Sequence, residues 1–94
     1  MGTFHHDKGE LHGITVVVDT DGPEVWVGRC DTMTDKGIVL LDADKHEDGT
    51  DGVSKDAFVQ KAARMGHWSR IPHVVIPSEK IHNVKRLGEV TAEQ

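Results

Sequence analysis

Alternating apolar and polar residues divide most of this chain into short segments that are typical of β-strands. Residues 11–19 form the first such segment, and Asp21–Pro23 provides a turn after it, because glycine tolerates positive φ and proline has no N–H for a ladder. A second strand follows, in which Gly28 predicts a sharp bend. The residues of the first segment that share one face at the two-residue period of a strand are Ile14, Val16 and Val18.

Three further strands are predicted downstream. Residues 35–37 are a turn, and residues 38–42 are predicted to form a strand whose unbroken apolar run, residues 38–41, indicates burial on both faces. Residues 71–76 and 81–87 alternate in the same way and predict the fourth and fifth strands. Pro72 restricts the start of the fourth strand to an edge or an end of the sheet, because it cannot donate a hydrogen bond.

A helix is predicted between the third and fourth strands, in an insertion of about residues 53–66. The acidic, glycine-containing residues 42–52 before it are expected to form a loop. Ser54 is suited to cap the helix N-terminus, and Gly66 is a natural C-terminal stop. The residues that recur at helical spacing, and are expected to pack against the sheet, are Phe58, Ala62 and Met65.

The composition fits one mainly β domain over residues 11–88, with a polar arm at residues 1–10 and a tail at residues 89–94. Aromatic residues make up 4% of the 94 residues, so the core must come from Val, Ile and Leu, which suit strands. No apolar run approaches the roughly 18 residues of a membrane span, and no signal pattern opens the chain. A single cysteine excludes an internal disulfide framework and makes a reducing cytoplasm the expected location.

The net charge of the chain is −5, and its charged residues are distributed unevenly along the sequence. Residues 1–52 carry 4 basic and 12 acidic side chains, whereas residues 53–88 carry 7 basic and 2 acidic ones. A segregated basic surface can bind nucleic acid even on an acidic protein, although a mixed solvated surface gives the same counts.

Two polar clusters have alternative interpretations. The first, near the N-terminus, combines imidazole and carboxylate groups that suit a transition metal, but its spacing matches no closed zinc site, and a solvated arm is the simpler interpretation. The second, His67–Arg70, could stack bases or hold a phosphate; alternatively, Trp68 closes the helix onto the sheet while Arg70 stays exposed. Cys30 has no partner that marks it as a nucleophile. The N-terminal cluster comprises His5, His6, Asp7, Glu10 and His12.

Two short motifs resemble those of the Sm-like family, which includes the bacterial RNA chaperone Hfq. The first runs from Gly28 through Asp35 to Leu40–Leu41, and the second runs from Val75–Ile76 through a tight turn to Ile81 and Val84. The resemblance covers about residues 11–87. It implies a five-stranded, strongly bent open barrel of Sm-like or SH3-like type. The link between the two motifs is longer than is usual in the family, which agrees with one helix inserted between strands 3 and 4.

The resemblance also implies a non-enzymatic, ring-forming module that binds RNA, with other copies of itself as partners and with no cofactor or membrane contact. The chain departs from the family where Met-Asn is usual, since Lys36–Gly37 stands there, and Glu79–Lys80 replaces the Arg-Gly or Lys-His of the second motif. The expected RNA-binding residues are Asp35, Lys36, Arg70, Lys80, Lys85 and Arg86. The expected oligomer interface comprises Val74, Val75, Ile76, Ile81 and Val84.

Two other functions stay open at this point. One is an SH3-like barrel that serves protein interaction or structure without binding nucleic acid. The other is a small metal-binding protein that uses the N-terminal histidine cluster. Salt-dependent binding to oligonucleotides separates the first from an RNA-binding module, and stoichiometric metal in purified protein would reveal the second.

Overall fold

The computed structural model describes residues 12–90, and within them five antiparallel strands form one open sheet. The sheet has the order β4–β3–β2–β1–β5, so β4 and β5 are its two edges. One α-helix, α1 (Lys55–Met65), lies between β3 and β4. The mainly β, five-stranded open architecture with its inserted helix is therefore confirmed. The strands are β1 (Thr15–Thr20), β2 (Glu24–Thr34), β3 (Gly37–Glu47), β4 (Ile71–Pro77) and β5 (Ile81–Arg86).

The two longest strands, β2 and β3, bend together at Gly28. A Cβ atom at this position would lie 2.8 Å from the Cβ of Ala43 on β3, so the close approach of the two strands requires glycine. Opposite this point, Asp42 has a left-handed backbone with φ of 52°, and the pairing register shifts between Val27 and Arg29. The predicted bend is confirmed, and it curls the sheet around its own inner face.

Both faces of the sheet are packed. The inner face holds the larger cluster of buried side chains, and the outer face is covered by α1. The successive residues Val16, Val17 and Val18 of β1 are all buried because they alternate between these two clusters. Trp26 lies against the inner cluster, while Val25 and Val27 face α1, as the alternation in β2 predicts.

The prediction of an acidic loop at residues 42–52 is wrong for the first half of that range, because β3 continues to Glu47. Residues 44–47 pair with residues 24–27 of β2, Ala43 pairs with Ile71 of β4, and both Ala43 and Asp44 are buried. Backbone pairing past the bend outweighs the low strand propensity of these acidic residues. A short 3₁₀ turn, Thr50–Gly52, then leads towards α1.

The predicted ends of α1 are confirmed, but the prediction of which helix face packs against the sheet is partly wrong. The Oγ of Ser54 accepts a hydrogen bond from the N–H of Ala57 at 3.1 Å, and Gly66 ends the helix with φ of 88°. Val59 and Ala62 are buried against β1 and β2, whereas Met65 is 71% exposed. The helix therefore packs through its middle turns, and its last turn carries Met65 beyond the buried cluster.

Lys55, the first residue of α1, ties the helix to the turn between β1 and β2. Its Nζ lies 2.6 Å from Oδ1 of Asp19 and donates hydrogen bonds to the carbonyl oxygens of Thr20 and Gly22 at 3.1 and 2.9 Å. One ammonium group thus satisfies three acceptors, and this fixes where the insertion begins on the sheet.

Candidate nucleic-acid interface

Three turns meet at one end of the sheet. The N–H of Ser78 donates to the carbonyl oxygen of Lys36 at 2.9 Å, which joins the β4–β5 turn to the β2–β3 turn. The N–H of Asp21 donates to the carbonyl oxygen of Lys80 at 3.1 Å, so the β1–β2 turn joins the same assembly. Gly37 permits this closure, because a Cβ there would overlap the carbonyl oxygen of Ile76.

A pocket of about 410 Å³ opens between the joined turns, and we call it the turn pocket. Its volume is in the usual range for small-molecule sites. One wall comes from β2 and the β2–β3 turn, and the other comes from the β4–β5 turn and β5. The turn pocket is lined by Met33, Thr34, Asp35, Gly37, Ser78, Ile81, His82, Asn83 and Val84.

The lining of the turn pocket combines hydrogen-bonding groups with apolar surface. Asp35 supplies acceptors, Asn83 supplies both donors and an acceptor, and Ser78 supplies a hydroxyl that can do either. Met33 offers a polarisable side chain, and His82 offers a ring. The Nδ1 of this imidazole lies 3.3 Å from Oδ1 of Asp21. This combination suits a flat, polar ring whose edge carries both donors and acceptors.

Comparison with solved structures identifies the architecture. The chain matches the structure of the Sm protein of Pyrococcus abyssi in complex with a uridine heptamer, with a TM-score of 0.58 over 86% of this chain and 93% of that one. The fold is Sm-like. The sequence identity is 14%, so the likeness is one of fold. No protein-family model matches the sequence, and no curated protein matches it.

The expected RNA-binding residues fall into separate groups on the Sm-like sheet. Asp35 lines the turn pocket, and Lys36 and Lys80 are exposed in the two turns that border it. Arg70 precedes β4 at the end of that strand away from the turn pocket. The 7 residues of β4 therefore separate it from the pocket by about 20 Å at the usual strand rise. Lys85 lies on the α1 side of the sheet and lines another cleft, which shares Asn83 with the turn pocket.

Arg86 ends β5 opposite Val16, and its Nη1 lies 3.6 Å from Oε2 of Glu89. The six residues therefore do not form one continuous surface. Only those in the two joined turns are brought together around a pocket.

The expected interface residues are on the two edge strands, but their side chains differ in exposure. Val75 on β4 is 56% exposed, whereas Ile76 is buried in the inner cluster. Val74, Ile81 and Val84 are half-buried and pack against the same cluster. A contact at these edges would therefore use the backbone of the strands and the side chain of Val75.

Most residues of the turn pocket were not found from the sequence. Ser78, His82 and Asn83 are ordinary polar residues, and their spacing carries no motif. The pairing of β4 with β3 and the bond to Lys36 bring Ser78 to this place, and His82 and Asn83 reach it because β5 returns to pair with β1, which closes the wall. The tight turn after β4 was the available signal, and it indicated the place but not the side chains.

The cluster at residues 67–70 differs from the packed alternative, in which Trp68 closes the helix onto the sheet. Trp68 is 69% exposed, and Arg70 is also exposed, with its guanidinium carbon 5.8 Å from the centre of the Trp68 ring. His67 anchors the segment instead, since its Nε2 lies 2.9 Å from the carbonyl oxygen of Asp42. The turn at Gly66 and this anchor together direct the indole outward.

The remaining candidates have simpler roles. Cys30 is fully buried, and burial, with the nearby carboxylate of Asp31, raises the pKa of its thiol, which disfavours the thiolate. Of the N-terminal histidine cluster, all but His12 lies outside the described residues. Across residues 12–90, no three His, Cys, Asp or Glu side chains gather closely enough to hold a metal ion. No helix in that range is long and apolar enough to cross a membrane.

Proposed function

We propose that this protein is a non-enzymatic Sm-like module that binds single-stranded RNA in the turn pocket. The observation that carries the proposal is the hydrogen bond from Ser78 to Lys36, which brings two distant turns together around one pocket. The Sm-like fold supports the proposal, because the matching protein from Pyrococcus abyssi is in complex with a uridine heptamer.

A uracil base fits the chemistry of the turn pocket. Its N3–H can donate to the carboxylate of Asp35, and its two carbonyl oxygens can accept from the amide of Asn83 and the hydroxyl of Ser78. Lys36 and Lys80 lie outside the pocket, where they can contact the phosphates on either side of the base. The arrangement separates recognition of the base from attraction of the backbone.

Assembly into a ring is the second part of the proposal. Each edge of the described sheet, β4 and β5, has a neighbour on one side only. Unpaired strand edges favour addition of another strand, and pairing of β4 with β5 of a second copy is a head-to-tail contact that closes into a ring when the rotation allows. The exposed Val75 at the β4 edge would become buried in such a seam.

Titration with oligouridine at several salt concentrations tests RNA binding. We expect Lys36→Glu and Lys80→Glu to weaken binding. Each should also reduce the salt slope, which is the steepness with which the logarithm of the binding constant falls with the logarithm of the salt concentration, by about 1. Lys85→Glu makes the same charge change on the α1 side and is the matched control, so we expect a smaller effect from it. Equal effects of the three variants would contradict a site centred on the turn pocket.

Oligocytidine provides the test of base recognition, because cytosine has no N3–H to donate to Asp35. We expect weaker binding of oligocytidine than of oligouridine, and we expect Asp35→Asn to reduce that difference. Absence of binding to any oligonucleotide at low salt would instead favour an SH3-like barrel that serves protein interaction.

Light scattering measures the assembly. We expect a mass that is a multiple of the 10.4 kDa chain and a lower mass for Val75→Glu, which would place a charge in the seam. Val75→Thr is the matched control, because it keeps a β-branched side chain without a charge. A native protein that is monomeric at high micromolar concentration would contradict the ring.

A further inference from the structure

A second cleft lies between α1, the end of β3 and the segment that leads into β4. It has a volume of about 270 Å³ and shares no residue with the turn pocket, and we call it the insertion cleft. Its walls include Trp68 and Arg70 on one side and Lys61 of α1 on the other, with His46 and Asp44 of β3 between them. The cleft exists because of the inserted residues between β3 and β4.

Trp68 gives this cleft an aromatic surface that the protein itself leaves uncovered. The indole is 69% exposed, and Arg70 lies over its ring. The Nε of Arg70 is also 3.9 Å from Oδ1 of the buried Asp44, which holds the guanidinium beside the indole. An indole supported in this way can stack a second flat group.

The charged side chains that line the cleft are mixed, with a small excess of basic ones. Lys45, Lys61 and Arg70 stand against Asp44, which is paired with Arg70, and Asp51. Lys61 and Arg64 are exposed on α1, and neither has an ion-pair partner within residues 12–90. An aromatic platform beside unpaired cations is the combination that binds single-stranded nucleic acid, since bases stack and phosphates pair with the cations.

We propose that the insertion cleft is a second contact for single-stranded RNA, in which one base stacks on Trp68 and the adjacent phosphate pairs with Lys61. The ligand class rests on the proposed function, but the site uses none of the residues of the turn pocket. RNA is favoured over a membrane surface because Met65 and Trp68 are the only strongly exposed large apolar residues on this side of the described chain. A membrane-binding surface needs a wider apolar area.

The two tryptophans make the proposal testable in the intact protein. Each indole N–H gives one signal in a nitrogen–proton NMR spectrum, and Trp68→Phe assigns them by removing one. Trp26 is half-buried and outside the insertion cleft, so it is an internal control. On titration with hexauridine or hexaadenylate RNA, we expect the Trp68 signal to shift and that of Trp26 to stay in place. Movement of neither indole while RNA binds would overturn the second contact and leave the turn pocket untouched.

Variants at exposed positions measure the contribution of stacking without disturbing the core. We expect Trp68→Ala to weaken binding of an oligonucleotide long enough to reach both sites by about tenfold. Met65→Ala, its matched control, removes an equally exposed apolar side chain and should leave the affinity unchanged. Lys61→Glu should reduce the salt slope by about 1. Equal losses from Trp68→Ala and Met65→Ala would indicate a general apolar contact and would overturn the stacking.

The same variants separate this proposal from the proposed function. In the protein carrying both Lys36→Glu and Lys80→Glu, we expect RNA still to shift the Trp68 signal, although more weakly. Loss of that shift would mean that Trp68 only reports on the turn pocket. Binding to vesicles with anionic lipid that is lost in Trp68→Ala, without any response to RNA, would identify a membrane-binding site instead.

Discussion

The turn pocket and the insertion cleft are built by different kinds of interaction. Backbone hydrogen bonds between turns close the turn pocket, and its walls continue into paired strands. The insertion cleft depends on side chains, among them the His67 contact with the carbonyl oxygen of Asp42 and the stack of His46 on Phe58, whose ring centres are 4.8 Å apart. The first site is therefore tied to the stability of the whole sheet, whereas the second can change while the sheet persists.

The largest loss of stability is expected from a substitution that prevents the backbone hydrogen bonds between the turns from closing the turn pocket. Gly37→Ala places a methyl group against the carbonyl of Ile76, so we expect the free energy of unfolding to fall by about 3 kcal/mol and RNA binding to fall with it. Urea unfolding measures the change. Gly88→Ala is the control, because a Cβ there meets nothing within 4 Å, and a comparable loss from it would refute the steric argument.

An intermediate effect is expected where α1 packs on the sheet. Val59→Ala removes two buried methyl groups and should lower the free energy of unfolding by about 2 kcal/mol. Met65→Ala, on the exposed last turn, should change it by less than about 0.5 kcal/mol. Thermal unfolding followed by circular dichroism compares the two variants. A larger loss of stability in the Met65 variant would support the packing face that the sequence predicted.

The smallest effect is expected at the helix cap. Ser54→Ala removes the bond to the N–H of Ala57 and should cost about 1 kcal/mol. Amide hydrogen exchange should show the loss mainly in α1, and less in β1 and β2, if the insertion opens separately from the sheet. Ser69→Ala is the control at an exposed serine. Uniform acceleration across the sheet would show that the two regions unfold as one.

The sequence predicts the sheet better than the sites, for physical reasons. Strand alternation and the glycine at the bend are local signals, and they led to the correct topology class. The continuation of β3 through Asp44 depends on pairing with β2, so its acidic residues misled the prediction. The outward position of Trp68 depends on the turn at Gly66 and the anchor at His67, which no local pattern reveals.

The turn pocket is similarly a product of long-range pairing. Asp35 and Lys36 could be proposed from the motif, because they occupy a turn between two recognisable strands. Asn83 could not, since its place in the wall requires β5 to pair with β1 in the observed register, where it lies opposite Asp19.

The pairing of the first strand with the last also has a consequence for synthesis of the chain. Hairpins between β1, β2 and β3 join neighbouring segments and can form while later residues are still being added, but Thr20 must wait for Ile81. Until then one edge of β1 is uncovered and the turn pocket lacks a wall. A nascent chain therefore has no complete turn pocket, and any ligand of that pocket meets only chains in which residues 81–84 have emerged and folded.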